Sequence, residues 1–213
     1  MRPFSRLHLW LRNLRPRRFA LVGAGYAFAE RLPWLRRAFR AFGFRVGLYH
    51  LLDFRLISPR GDVLWEALGV PNRLFNQGEI DVLQDIYQGI AFPTAGLYGR
   101  LYNQTPVDGD TLVSLSSNEM KGSGYGALVW VRNTSDWATP TTLASGEGET
   151  IGAVKAFTAS GGQIGPFTYF VLATTAGNTG RAFAYAPFGA PQTIAAGATL
   201  QVRPRGRLRG VTA

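Results

Sequence analysis

Beyond Pro93 the sequence breaks into short stretches of alternating apolar and polar residues, each closed by Gly, Asn, Asp or Pro. A two-residue period puts successive side chains on opposite faces, so such stretches read as strands with one face buried. The expected strands are Leu97 to Tyr102, Thr111 to Leu115, Tyr125 to Arg132, Thr150 to Phe157, Phe167 to Thr174, Arg181 to Ala186 and Thr199 to Val202. Asp108-Gly109, Gly161-Gly162 and Gly177-Asn178 supply tight turns between them. Strands at this spacing without intervening helices predict a β-sandwich or jelly-roll-like domain rather than a parallel sheet. The chain has no cysteine, so packing or assembly, and not disulfides, must hold such a domain together.

Upstream, residues 62–89 read as strand, turn and helix. Val63, Trp65 and Ala67 alternate with Leu64, Glu66 and Leu68, and Gly69 and Pro71 are expected to end the strand. Asn76 followed by Glu79 has the spacing of a capping box, which predicts a helix over about 76–90. Ile80, Leu83, Ile86, Tyr87 and Ile90 recur at steps of three and four. That stripe is expected to pack inward, with Asp81, Gln84, Asp85 and Gln88 facing away.

Charge divides the chain. Residues 1–60 hold 13 Arg against Glu30 and Asp53, a net +11, whereas residues 61–213 sum to −1. The first part therefore reads as a basic, partly helical extension and the second as the β domain. Leu35, Ala38, Phe39, Phe42 and Val46 fall on one helical face flanked by Arg36, Arg37, Arg40 and Arg45. The apolar run from Phe19 to Ala29 is too short to cross a bilayer, which takes about 20 residues. Gly23 and Gly25 resemble the start of a dinucleotide-binding turn, but the third glycine position holds Phe28 and no βαβ series follows. Arg and aromatic side chains together are what interface cores favour. On that ground Trp10, Arg17, Arg18, Trp34, Arg36, Arg37, Phe39, Arg40, Phe42 and Arg45 are the expected contacts of an anchor arm. A protein partner, nucleic acid and an anionic membrane all remain open as what the arm meets.

Chemistry-bearing residues are sparse. His8 and His50 both fall in the expected extension, so neither a Ser-His-Asp triad nor a histidine metal site is expected in the β domain. Asp108, Asp110, Asp136, Glu147 and Glu149 read as solvated turn acids, and Trp130 and Trp137 as core or rim packing. No catalytic, cofactor or metal residue is therefore expected, and the Gly122, Gly124, Gly126 run lacks the Lys-Ser/Thr of a phosphate loop.

A resemblance runs over roughly residues 61–202. Its marks are Val63-Leu64-Trp65-Glu66, Asn72, Asn76 and Gly78, Leu97 to Leu101, Gly122 to Tyr125 before Trp130, and Thr193-Ile194 with Gly197, Thr199, Leu200 and Val202. In that order they resemble a family of β-sandwich virion proteins of tailed phages. Members often carry Asp where this chain has Ala198. The resemblance implies a non-enzymatic structural component of a virus particle, a capsid decoration, minor capsid or tail accessory protein. Its partners would be other virion proteins, the major capsid or tail proteins, with self-association into a homo-oligomer. A carbohydrate- or receptor-binding module, working through loops such as Asn133 to Leu143, is the alternative that the residues leave open.

Overall fold

The computed structural model of the chain describes residues 47–209, and they form a mainly antiparallel β structure. Strands β1 (Gly47–Ile57) and β2 (Val63–Leu74) lead into helix α1 (Asn76–Gln88). There follow β3 (Gly96–Tyr102), the single helical turn α2 (Leu112–Leu115) and β4 (Leu128–Val131). The rest is strand: β5 (Thr141–Thr142), β6 (Gly148–Ile151), β7 (Lys155–Thr158), β8 (Ile164–Ala173), β9 (Ala182–Ile194) and β10 (Thr199–Arg209). The sheet runs β4-β3-β8-β9-β2-β1-β10-β6-β5, and β7 pairs with β10 beside β6.

This sheet curls on itself. β1 and β8 are three strands apart in the sheet order, yet Phe54 of β1 meets Phe170 of β8 edge to face with ring centroids 5.5 Å apart. Phe54 also lies 4.6 Å from Phe188 of β9. The core is the concave side: Leu52, Phe54, Leu200 and Val202 from one half face Leu101, Trp130, Phe170 and Leu172 from the other. Each such side chain contributes about 1.5–3 kcal/mol when fully buried. On the outer side of β8 and β9, Val171, Ala173, Ala182 and Tyr185 are covered by Phe75 and by Leu112 and Leu115 of α2. β8 is thus buried on both faces, which explains its apolar run FVLA.

Four sequence expectations change here. β1 lies within the expected basic extension but pairs along its whole length with β10, from Gly47 opposite Arg209 to Ile57 opposite Thr199. Residues 47–60 therefore belong with the β structure, whose unit begins at Gly47. With residues 47–60 and their Asp53, Arg55 and Arg60 assigned there, residues 1–46 hold 11 Arg and one acid, and so the entire net charge of +10. β2 does not stop at Gly69 but passes through it in a left-handed conformation (φ 65°) and runs on to Leu74. Leu68 and Gly69 together oppose Asp53, a β-bulge that glycine tolerates. The expected strand Thr111 to Leu115 is the capped turn α2: the Thr111 side chain accepts from Ser114 N–H while Ser114 Oγ accepts from Thr111 N–H. The expected strand Thr150 to Phe157 divides into β6 and β7 at a bend where Gly152 lies against Pro204.

Helix α1 forms where predicted, from Asn76, but with another cap residue and the opposite orientation. Its N-cap is Phe75, which makes no side-chain cap bond, and Asn76 is the first helical residue. Gly89 ends the helix in a left-handed conformation, its N–H donating to Gln84 O. The face toward the sheet holds Gly78, Asp81 and Val82. A Cβ on Gly78 would stand 2.1 Å from the Phe183 carbonyl oxygen, so glycine is what lets the helix lie this close to β9. Asp81, 2% exposed, forms an ion pair with Arg181. Ile80, Leu83, Ile86 and Ile90 consequently point outward, 50–61% exposed.

Candidate functional site

Acids act as fasteners in the fold, among them Asp108, Asp136 and Glu149, which look like solvated turn residues in sequence. Asp53 accepts from Gly69 N–H at 2.8 Å and from Arg203 Nε and Nη2 at 3.1 and 2.8 Å, and it pairs with Arg205. Burial pushes its carboxyl pKa up, but the Gly69 N–H and the two guanidinium groups outweigh that and hold it below the usual value. Glu149, 8% exposed, pairs with Arg207 at 2.5 Å and lies 3.9 Å from Arg205, while Arg207 also reaches Glu147 at 4.0 Å. The basic cluster of Arg203, Arg205 and Arg207 is therefore neutralised within its own sheet. Asp108 pairs with Arg73 and accepts from Tyr185 Oη at 2.9 Å, whose pKa rises to about 12 through burial and that bond. In the core, Arg100 holds Glu119 through two nitrogens and donates to the Gly177 carbonyl at 2.8 Å. Tyr125 Oη donates to Glu119 at 2.9 Å. Among the described residues no group of three or more His, Asp or Glu side chains gathers as a metal site would require.

Two surface features stand out among the described residues. One is the outward face of α1, where the helix carries Glu79 and Asp85 beside the apolar stripe and no Lys or Arg at all. The other is a cleft of about 480 Å³ between β1, β9 and the segment after β4. Leu97 and Phe183 are its most buried lining residues, and Phe92, Arg132, Trp137 and Pro140 stand around them. The Arg132 guanidinium sits 4.9 Å from the centre of the Phe92 ring and 3.6 Å from Asp85. Phe92 and His50 each meet Phe183 edge to face, at 5.2 and 5.5 Å.

Local bonding makes the cleft wall rigid. Asn133 Oδ1 accepts from the N–H groups of Ser135 and Asp136 at 3.0 and 2.9 Å, an Asx turn. Asp136 accepts from Val131 N–H at 2.6 Å and from Lys155 Nζ at 2.8 Å, and these two bonds hold its pKa low, the lysine first. Ala138 N–H donates to Ile151 O at 2.9 Å, and Thr150 Oγ1 donates to Ala138 O at 2.7 Å. Residues 133–138 are thus fastened to β4, β6 and β7.

Polar atoms beneath the cleft are unsatisfied. His50 shares the inner face of β1 with Leu52, Phe54 and Leu56, and its Nδ1 is buried without a hydrogen-bond partner. The same holds for Trp137 Nε1, whereas Trp130 Nε1, in the core, donates to Ala153 O at 2.7 Å. Burial lowers the His50 pKa to about 4, so the imidazole is neutral at pH 7. His50 was expected in a basic arm; its place on a central strand puts the one imidazole among the described residues into this cleft. The only sequence sign of it was its even-numbered position in line with Leu52, Phe54 and Leu56.

The expected anchor residues Trp10, Arg17, Arg18, Trp34, Arg36, Arg37, Phe39, Arg40, Phe42 and Arg45 lie outside the described residues. Of the alternative loop, Asn133 to Leu143, residues 133, 134 and 137–140 line the cleft. Compared with known proteins, the chain matches no protein-family model, no curated protein and no solved structure.

Proposed function

We infer that this chain is a non-enzymatic structural component of a phage particle, a β-sandwich or jelly-roll-like module that decorates or reinforces the capsid or tail. The observation that carries the reading is the outward stripe of α1. Ile80, Leu83, Ile86 and Ile90 stay in water although the helix has a sheet beside it. A helix that spends Gly78, Asp81 and Val82 on its own sheet and leaves its isoleucines outside is arranged for a second protein surface. Asp81 and Asp85 are paired with Arg181 and Arg132, which leaves Glu79 as the exposed acid beside the stripe, and with no Lys or Arg on the helix it favours a partner face that is apolar at the centre and basic where it meets Glu79. The sequence resemblance to tailed-phage virion proteins agrees with that use. Residues 1–46, with all the net positive charge, serve in this reading as a second attachment to the particle.

The test is co-production of the chain with the capsid and tail proteins of its own genome, followed by particle purification. The double variant Leu83→Glu, Ile86→Glu should keep the wild-type melting midpoint, because exposed positions change stability by no more than about 0.5 kcal/mol each. Its copy number per particle should fall at least tenfold. Normal incorporation of the variant would remove the helix from the interface and the reading with it.

A further inference from the structure

We propose that the cleft beside Trp137 binds an uncharged carbohydrate, one or two pyranose rings of a polysaccharide, and that it does so in the free protein, apart from any role in a particle. The first ground is the chemistry of the lining. Trp137 and Phe92 offer apolar ring surface above the buried Phe183, and on the exposed rim Asn133 Nδ2 offers donors while the Thr134 and Thr139 hydroxyls both donate and accept. A pyranose needs that pairing, because its ring hydrogens form an apolar face while its hydroxyls point outward along the edge.

Charge argues against the other ligand classes. Among the described residues no carboxylate lines the cleft, so they offer nothing for a cation. Its one cation, Arg132, is already stacked on Phe92 and turned toward Asp85, so an anion would have to compete for it. His50 adds no charge at neutral pH, since burial holds it neutral. What remains is a neutral site with hydrogen-bonding capacity.

Placement of the two indoles is the second ground. Trp130, seven positions earlier, is fully buried in the core and its Nε1 donates to Ala153 O at 2.7 Å. Trp137 is only half-buried and lines the cleft, so part of its ring surface is presented there.

Preorganisation is the third. The segment bearing Trp137, Thr134 and Thr139 is tied to three strands by the Asn133, Asp136 and Ala138 bonds described above, so a ligand meets a wall already in place and little ordering cost arises on binding. A shallow site of this kind binds weakly alone. In an assembly with many copies the sites would act together, and avidity would raise the apparent affinity without new contacts.

Saturation-transfer NMR on the full chain tests the proposal, with maltose, lactose, cellobiose and N,N′-diacetylchitobiose as probes and glucuronic acid as the charged control. At least one neutral disaccharide should receive saturation, and glucuronic acid less. The double variant Thr134→Arg, Thr139→Arg fills the mouth from exposed positions. It should weaken binding at least tenfold with an unchanged melting midpoint, and the single Thr139→Arg variant gives the same reading should the double one fold poorly. Trp137→Ala removes the ring face and should weaken binding at least tenfold. No transfer to any of the four disaccharides, or equal transfer from the blocked variant, overturns the proposal. Preferential binding of glucuronic acid, or displacement of the sugar by an aromatic peptide, overturns the assignment of a neutral glycan. Loss of particle incorporation through α1 would leave all of these readings untouched.

Discussion

Asp53 and His50 lie on the same strand, three positions apart and on opposite faces, and they have opposite fates. Asp53 is 6% exposed and surrounded by donors: the bulge N–H of Gly69, Arg203 and Arg205. His50 is partly buried beside Phe183, and its Nδ1 has nothing to bond. A polar group whose partners all come from the fold is part of what holds the fold together. One that the fold encloses but leaves unpartnered is kept at a cost that packing alone does not justify. On β1 this contrast sets a fully bonded acid three positions from an imidazole that lies at the cleft.

The structural face should break first and hardest. Asp53→Ala would leave Arg205, 18% exposed in its side chain, without its main partner and the Gly69 N–H unbonded. Removing one member of a buried pair costs about 3–5 kcal/mol, and the lower end applies because Arg203 can turn toward water. Urea unfolding at neutral pH measures it. The sign with pH follows from the depressed carboxyl: its contribution is complete above the unfolded value of 3.8 and is lost as pH falls below that toward the folded pKa. A wild-type stability that does not decline in this acid window, or an Asp53→Ala loss of under about 1 kcal/mol, would mean that the arginines hold the sheet without it.

The cleft face should respond in a different window. The His50 pKa is about 4 in the fold against 6.5 when unfolded, so between those values the unfolded chain binds a proton that the folded chain refuses. Stability therefore falls as pH drops from 6.5 toward 4. At about pH 5 the loss attributable to His50 is about 2 kcal/mol relative to neutral pH. His50→Phe should remove that slope while leaving stability at neutral pH within about 1.5 kcal/mol, since a ring of similar size replaces it against Phe183. An unchanged slope in the variant would show that another group titrates there and that the cleft does not keep His50 dry.

How far the sequence foretold this depends on where each partner lies. β3 and β8 were legible because alternation and burial are local properties of LYGRLY and FTYFVLA. β1 had the same alternation in Leu52, Phe54 and Leu56, but the Arg-rich residues before it drew it into the extension. Its pairing with β10 spans nearly the whole domain and leaves no local trace. The turn acids were misread for the same reason: Glu149 meets Arg207, and Asp108 meets Tyr185, across 58 and 77 positions of chain. For α1 the period located the helix correctly and oriented it wrongly. Apolar periodicity says that one face differs from the other. Gly78, by permitting contact with the Phe183 carbonyl, decides which face goes down.

The smallest expected effect belongs to a polar residue that is neither fastened nor enclosed. Capping logic from the sequence assigns about 0.5–2 kcal/mol to the Asn76 side chain. In the fold Asn76 is exposed and already helical, and the cap position is occupied by Phe75, which makes no side-chain cap bond. What fixes the helix start is instead the burial of the Phe75 ring, 4.8 Å from Tyr185, with its carbonyl accepting from Glu79 N–H at 3.0 Å. The bond Asn76 does make is through its backbone N–H, to Asp108 O at 2.9 Å, and alanine keeps it. Alanine also has the higher helix propensity, by several tenths of a kcal/mol. Asn76→Ala should therefore change unfolding free energy by less than about 0.5 kcal/mol, in either direction. A loss above about 1 kcal/mol would restore Asn76 as the cap and move the start of α1 by one residue. It would also show that an exposed polar side chain on this surface can be structural without a bonded partner, which would weaken the inference drawn from His50.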